Sequence, residues 1–117
     1  MNPIQLTLTS GETNDCGNRS FDRLAYQHLH IEITGDGIAE PQDLIGLKLP
    51  PEMRSNQGVI LEGKAPIWLY GYLVHECHAT AWVGCYDPRL AGAVVVESHT
   101  KGVSVGQVLS LIPPSPP

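Results

Sequence analysis

Cysteines and long apolar runs are both scarce in this sequence. The three cysteines, Cys16, Cys77 and Cys85, are an odd number and lack the spacing of a disulfide framework. No apolar stretch reaches the length that a membrane-spanning helix requires. Residues 1–10 also lack the charged segment and the long apolar segment of a secretory signal peptide. We therefore expect a reducing, cytoplasmic setting, in which disulfides are rare.

Basic residues are scarce as well. The chain has 7 lysines and arginines against 12 aspartates and glutamates, so that its formal net charge is −5. This balance opposes broad binding to long nucleic acids, which normally requires a basic face. It still allows a small anion to be held by a few local cations.

Length and composition predict one small globular domain. The chain has 117 residues, of which 42% are hydrophobic and 16% are charged, and it contains no internal repeat. We expect the domain to cover residues 1–112 and a proline-rich tail to cover residues 113–117. A domain of this size buries about two thirds of the surface of its unfolded chain and cannot enclose a large substrate alone. Its size therefore favours a site built between subunits.

Alternating apolar and polar residues and β-branched runs predict several strands. These strands are residues 4–9, 27–33, 58–61, 82–86 and 93–96, with one or two more over residues 103–111. One long helix is expected over residues 67–77, with Pro66 at its first position, and a short helical turn between residues 43 and 49. Residues 10–20 are predicted to form a mobile loop. Together these elements predict an α+β fold, in which one main helix covers a mostly antiparallel sheet.

Five polar side chains from neighbouring elements could carry chemistry. His75 and His78 are three residues apart and share one face of the predicted helix, Asp87 and Arg89 lie at a tight turn, and His99 follows the returning strand. Arginine offers a bidentate fork to a phosphate, and histidine and aspartate can hold a divalent ion or exchange protons near neutral pH. If the helix covers the hairpin end, these side chains form a site suited to phosphodiester cleavage.

Each of these residues also has a simpler interpretation. An aspartate before proline commonly caps the backbone of its own turn, which would account for Asp87. Arg89 alone is typical of a solvated surface charge, and His75 alone of a hydrogen-bonded residue at a helix boundary. His28 and His30 share one face of the second strand, where we expect them to be structural or solvent-facing.

A structural zinc site is a further alternative. Cys77 and Cys85 could join His75 and His99 as zinc ligands, because thiolate and imidazole are the preferred ligands of zinc. Their spacing matches no established zinc pattern, and this remains the minor interpretation.

Three segments of the chain resemble one known family. They are residues 63–69 (GKAPIWL), 86–90 (YDPRL) and 93–99 (AVVVESH). In this order they resemble the third CRISPR-associated ring nuclease family, manganese-dependent enzymes that degrade cyclic tetra-adenylate. The resemblance covers residues 58–99 closely and residues 27–33 more loosely.

The resemblance implies a ferredoxin-like fold and a homodimer that associates to a tetramer around the cyclic ligand, with residues from both layers completing the site. It implies cleavage of the ring to linear di-adenylate, which switches off type III CRISPR signalling. His78, Asp87 and Arg89 match the catalytic residues of the family, and Arg89, His99 and His75 are the expected ligand-binding residues. Arg89 would bind phosphate, Asp87 would contact the metal or a 2′-hydroxyl, and His78 would serve in acid–base chemistry or metal binding. His75, His78 and Asp87 form the expected Mn²⁺ ligand set.

The chain also departs from the family pattern. The turn that contains Ala91 and Gly92 is one residue longer than expected, which could displace Arg89 or His99. Two alternative functions follow: a sensor that binds the cyclic messenger without cleaving it, and a metal-dependent exonuclease acting on RNA 3′ ends. The net charge argues against the exonuclease.

Overall fold

The computed structural model describes residues 2–14 and 23–113. Over these residues the chain forms one six-stranded sheet, one α-helix and two short 3₁₀ turns. The strands are β1 Ile4–Glu12, β2 Ala25–Ile33, β3 Gly58–Glu62, β4 Trp82–Asp87, β5 Gly92–Ser98 and β6 Val108–Ser110. The helix α1 covers Ile67–Glu76, and the 3₁₀ turns cover Pro41–Leu44 and Pro88–Leu90.

The strands lie side by side in chain order, from β1 to β6. β2, β3 and β4 are parallel to one another, whereas the pairs β1–β2, β4–β5 and β5–β6 are antiparallel. The predicted α+β domain, with one helix on a mostly antiparallel sheet, is confirmed. The ferredoxin-like arrangement is not confirmed, because that pattern is β-α-β-β-α-β and α1 is the one α-helix of the described residues.

Helix α1 provides the crossover between the parallel strands β3 and β4 and covers one face of the sheet. Leu69 and Leu73 are fully buried on its inner side, in the same cluster as Leu29, Leu61 and Val83 of the central strands. Burying a leucine side chain completely contributes about 1.5–3 kcal/mol. The helix therefore holds the parallel part of the sheet together and fixes where its own two ends lie.

The opposite face of the sheet has its own apolar core. Ile60, Trp82 and Val95 are buried there together with Leu109 of the last strand. Side chains alternate across a strand, so the even-numbered residues of β2 point to this face, as the sequence predicts.

Some predicted boundaries differ from the structure. The predicted loop 10–20 begins too early, because Ser10 to Glu12 continue β1 and pair with β2. Backbone pairing stabilises these polar residues as a strand although their β-propensity is low. The first 3₁₀ turn begins at Pro41 rather than at residue 43, and Pro66 is the N-cap of α1 rather than its first helical residue.

Other predictions concern residues that the structure does not describe. The remainder of the predicted loop, residues 15–20, and the end of the predicted tail, residues 114–117, lie outside the described residues. Within those residues, no helix combines the length and the hydropathy needed to cross a lipid bilayer.

Candidate functional site

Three of the predicted site residues meet where β4 begins. His75 lies in the last turn of α1 and His78 just beyond its end, and their rings stack with centroids 5.7 Å apart and an interplanar angle of 21°. His78 Nδ1 donates to the backbone oxygen of His75 at 2.9 Å. A neutral imidazole that donates through Nδ1 keeps a lone pair on Nε2. His78 is exposed and is thus able to accept a proton or bind a metal.

His99 joins these two histidines after the end of β5. Its backbone N–H donates to Ala81 at 2.9 Å, which fixes the chain beside the start of β4. Its ring atom Nε2 donates to the backbone oxygen of His78 at 3.0 Å and lies 3.3 Å from Glu97 Oε2. We call His75, His78 and His99 the histidine group.

Asp87 and Arg89 lie where β4 ends. The Asp87 side chain caps the 3₁₀ turn, since its Oδ1 accepts from the Arg89 backbone N–H at 2.9 Å. The Arg89 atom Nη2 is 3.4 Å from Asp87 Oδ2, and 80% of the Arg89 side chain is exposed. The capping interpretation of Asp87 is therefore confirmed, and the Arg89 guanidinium remains accessible to an anionic ligand. We call this pair the Asp87–Arg89 turn.

The extra residue in the turn that contains Ala91 and Gly92 changes the backbone conformation of the turn. Ala91 adopts a left-handed conformation with φ 51°, which costs a non-glycine residue roughly 1–2 kcal/mol. A Cβ on Gly92 would lie 2.7 Å from the backbone oxygen of Leu109, so β6 packs directly against the glycine backbone. Asp87 still pairs with Gly92, and the hairpin register is kept at this end.

Within one chain, the histidine group and the Asp87–Arg89 turn lie at opposite ends of β4. A strand rises about 3.3 Å per residue, so the five steps from Trp82 to Asp87 span about 16 Å. The condition for a single cluster, that the helix covers the hairpin end, is not met, because α1 runs back across the sheet and ends beside the start of β4. His75, His78 and Asp87 therefore do not form a single metal site within one chain.

A different group of potential metal ligands lies on the sheet face opposite α1. Among the described residues, one group of three histidine, cysteine or carboxylate side chains has its ligand atoms within 4.8 Å of one another: His28, His30 and Glu62. Glu62 Oε1 lies 2.8 Å from His28 Nε2 and 2.8 Å from His30 Nδ1. We call these residues the β2–β3 triad.

The β2–β3 triad is held in place from several sides. His28 is fully buried, and its second ring nitrogen, Nδ1, lies 3.3 Å from Thr9 Oγ1 on β1. Burial alone would raise the pKa of Glu62, but the hydrogen bonds from His30 and His28 outweigh it and hold the pKa below its ordinary value. Glu62 is therefore a carboxylate at neutral pH.

Sequence reasoning missed this triad because Glu62 is not close to the histidines in the chain. The alternation of β2 places His28 and His30 on one face, as expected, and of the two expected settings, structural or solvent-facing, the buried His28 takes the structural one. The pairing of His30 with Glu62 depends on the parallel register of β2 and β3. Register between strands that are not joined by a hairpin cannot be deduced from local pattern.

The alternative zinc site is not formed by the described residues. Cys77 is buried in the core beneath α1, where its Sγ is 4.0 Å from Met53 Sδ. Burial raises the pKa of the Cys77 thiol to about 12 and also raises the pKa of Cys85. Neither cysteine belongs to a group of close ligand atoms with His75 and His99.

Comparison with known proteins places the chain among the CRISPR-associated proteins. Residues 32–110 match the family described as CRISPR-associated protein (Cas_csx3). The match covers more than half of the chain and contains both the histidine group and the Asp87–Arg89 turn. The chain belongs to this family, which confirms the CRISPR association that the sequence resemblance predicts.

One similar protein comes from Aquifex aeolicus (strain VF5) and is described as an uncharacterised protein. It is 44% identical over 72 residues, which cover 59% of this chain and 65% of the relative. The similarity thus spans less than two thirds of the length of that relative.

Proposed function

We propose that the protein is a ring nuclease that binds cyclic tetra-adenylate and cleaves it to linear di-adenylate. Membership of the CRISPR-associated family supports this proposal, and the observation that carries it is the combination of His78, Asp87 and Arg89 within the matched segment. Cleavage would remove the messenger and end the signal of a type III CRISPR system.

The chemistry of the exposed groups suits this reaction. Arg89 projects an accessible guanidinium, which can form two parallel hydrogen bonds to a phosphate and stabilise the negative charge that builds up during cleavage. The Asp87 carboxylate accepts hydrogen bonds from both the backbone N–H and the guanidinium of Arg89, and these contacts orient Arg89. His78 donates through Nδ1 to the His75 backbone, which directs the lone pair of Nε2 outward for general acid–base chemistry.

The separation of these residues supports a site shared between chains. His78 is about one strand length from Asp87 and Arg89, so one chain does not bring all three to one phosphate. Two chains in reversed orientation would place the histidine group of one beside the Asp87–Arg89 turn of the other. A homodimer that associates to a tetramer around the ligand is therefore part of the proposal.

A divalent metal, Mn²⁺, is the cofactor that we propose for this activity. It would supply Lewis-acid stabilisation of the phosphoryl oxygens. The expected ligand set of His75, His78 and Asp87 does not fit a metal within one chain, because these residues lie at opposite ends of β4.

The test is incubation of the purified protein with cyclic tetra-adenylate, with and without Mn²⁺, followed by chromatography and mass analysis. We expect linear di-adenylate, and the form of its terminal phosphate will separate attack by a 2′-hydroxyl from attack by water. His78→Ala and Asp87→Ala should abolish turnover, whereas the control Arg54→Ala removes an exposed arginine elsewhere and should not. An intact ring after incubation with stoichiometric protein and Mn²⁺ would show that the proposal is wrong.

A sensor without catalytic activity is the second candidate. The left-handed Ala91 in the longer turn favours it, because this turn carries Arg89. Tight binding of the ring with no product at any Mn²⁺ concentration would support the sensor. An Asp87→Ala variant that keeps binding but loses turnover would exclude it.

A further inference from the structure

We propose that the β2–β3 triad binds one divalent transition-metal ion, through His28 Nε2, His30 Nδ1 and the Glu62 carboxylate. This site is separate from the ligand set of His75, His78 and Asp87 that the sequence suggests. The proposal concerns metal binding alone and does not depend on ring cleavage.

The distances between the ligand atoms are close to those of a metal site. Imidazole nitrogen and carboxylate oxygen bind such ions at about 2.0–2.2 Å, which places neighbouring ligands about 3 Å apart. Both histidine nitrogens already lie 2.8 Å from the same oxygen, Glu62 Oε1. Without a metal, each of these contacts is a hydrogen bond from a ring N–H to the carboxylate. A bound metal ion would take the place of those two protons, and the three side chains would need to shift only slightly.

The surroundings of His28 match those of a metal-binding histidine. A histidine ligand usually donates its second ring N–H to an oxygen, which fixes its tautomer and orientation. Thr9 Oγ1 is 3.3 Å from His28 Nδ1 and is positioned to accept that proton when Nε2 binds the metal. Because Thr9 pairs directly with His28 across β1 and β2, the hydroxyl is held by the sheet itself.

The ligand types select the class of ion. Two imidazoles with one carboxylate suit Mn²⁺, Fe²⁺, Co²⁺ and Zn²⁺, whereas Mg²⁺ and Ca²⁺ prefer oxygen ligands alone. Three protein ligands also leave coordination positions on the ion open for water or for an anionic oxygen.

A route for the ion leads to the triad from solvent. The exposed fraction of the side chain is 1% for His28, 17% for His30 and 26% for Glu62. His30 and Glu62 line an open groove together with Glu32 and Lys64. The buried histidine therefore forms the base of the site, and the other two ligands form its open side.

The triad also lies near the predicted phosphate-binding end of the molecule. β3 and β4 are parallel neighbours, and Leu61 of β3 pairs with Cys85 of β4. Glu62 follows Leu61 and Asp87 lies two residues after Cys85, so both residues are at the carboxyl ends of their strands. Ligands of sheets with parallel strands commonly bind at these ends. A metal at the triad would thus lie at the same end of the sheet as the Asp87–Arg89 turn.

The experiment is isothermal titration of tag-free, metal-stripped protein with MnCl₂, CoCl₂ or ZnCl₂ in the absence of nucleotide, together with the visible spectrum of the Co²⁺ form. We expect one ion per chain, with Mn²⁺ binding more weakly than Co²⁺ or Zn²⁺. Glu62→Gln and His30→Gln should each weaken binding at least tenfold. Circular dichroism will confirm that both variants fold, and His28 is left unchanged because it is fully buried.

Two control variants make the result specific. Glu12→Gln removes an exposed carboxylate at the far end of β1, away from the groove, and His78→Ala removes a ligand of the alternative set; both should bind as the wild type does. Loss of binding in His78→Ala with binding kept in Glu62→Gln would place the metal at the alternative set and overturn the proposal. Absence of binding by all three ions would show that the triad is a hydrogen-bonded network only. Neither outcome bears on whether the ring is cleaved, which is measured separately.

Discussion

Asp87 and Arg89 show how one short turn can combine a structural role with the chemical role that we propose for it. The carboxylate holds the backbone of the turn, while the guanidinium extends into solvent with 80% of the side chain exposed. A side chain with so few contacts contributes little to folding, and a surface ion pair is worth at most about 1 kcal/mol. Functional and structural effects can therefore be separated at Arg89.

We predict that Arg89→Ala lowers the kcat/KM for cyclic tetra-adenylate about 100-fold or more, because it removes a charged donor to the phosphate. The melting temperature should stay nearly unchanged. Arg89→Lys is the matched variant: it keeps the charge but loses the bidentate fork, and should recover only part of the activity. Activity equal to the wild type in Arg89→Ala would exclude a role for this side chain.

Cys77 offers a second test at the residue scale. Burial raises the pKa of its thiol to about 12, so the reactive thiolate is nearly absent at pH 8. We predict that iodoacetamide does not modify Cys77 in the folded protein at pH 8 but modifies it after denaturation with guanidinium. Peptide mass analysis distinguishes Cys77 from the other cysteines. Rapid modification under native conditions would mean that the end of α1 opens.

At the scale of elements, the packing between β3 and β4 depends on one glycine. A Cβ on Gly58 would overlap the indole ring of Trp82, which lies across the start of β3. Gly71, by contrast, is exposed in the middle of α1, and an added Cβ would meet no described atom within 4 Å. Against the part of the chain that the structure describes, Gly71 therefore makes no close packing contact and weakens the helix.

We predict opposite effects of alanine at these two positions. Gly58→Ala should lower the free energy of unfolding by about 1–3 kcal/mol, because the Trp82 ring must move in a filled core. Gly71→Ala should raise it by up to about 1 kcal/mol, because alanine is the better helix former. Urea unfolding followed by tryptophan fluorescence measures both. If Gly71→Ala is stable but inactive, the exposed face of α1 contacts another chain.

At the scale of the whole molecule, the position of the predicted site residues is what the proposed site shared between chains rests on. Helix α1 carries the histidine group to one end of β4, and the hairpin carries Arg89 to the other end. The net charge of −5 over 117 residues opposes binding of an anionic ligand by a broad basic face. Several chains would concentrate their local cations around one cyclic anion.

We predict that an equal mixture of His78→Ala and Asp87→Ala proteins regains activity that neither variant has alone. Chains that exchange would form sites with an intact His78 from one variant and an intact Asp87 from the other. The measurement is di-adenylate production after mixing, with sedimentation velocity showing whether the ligand promotes a tetramer. The double variant His78→Ala/Asp87→Ala mixed with either single variant is the control, and it should remain inactive. No recovery despite proven exchange would mean that each site is built from one chain.

Local pattern determined most of the elements of this protein. Alternation in β2, the β-branched run of β5 and the proline before α1 are each readable within a few residues, and the strands and helix occur where they predict. The resemblance of three segments within residues 63–99 likewise predicted the CRISPR association, since each of these motifs is a short run of neighbouring residues. Length and composition predicted one small domain, and the pattern of strands and helix predicted its α+β class, since neither prediction requires knowledge of contacts.

Tertiary structure alone decided which of the polar residues meet. The direction of α1 across the sheet separates His78 from Asp87, and the parallel register of β2 and β3 brings Glu62 to His28 and His30. Both facts depend on how distant segments pack, because a crossover or a shift in register changes which side chains meet without changing any local pattern. The sequence thus determined which chemical groups are present and on which face each lies, and the packing of α1 and β3 decided where they form a site.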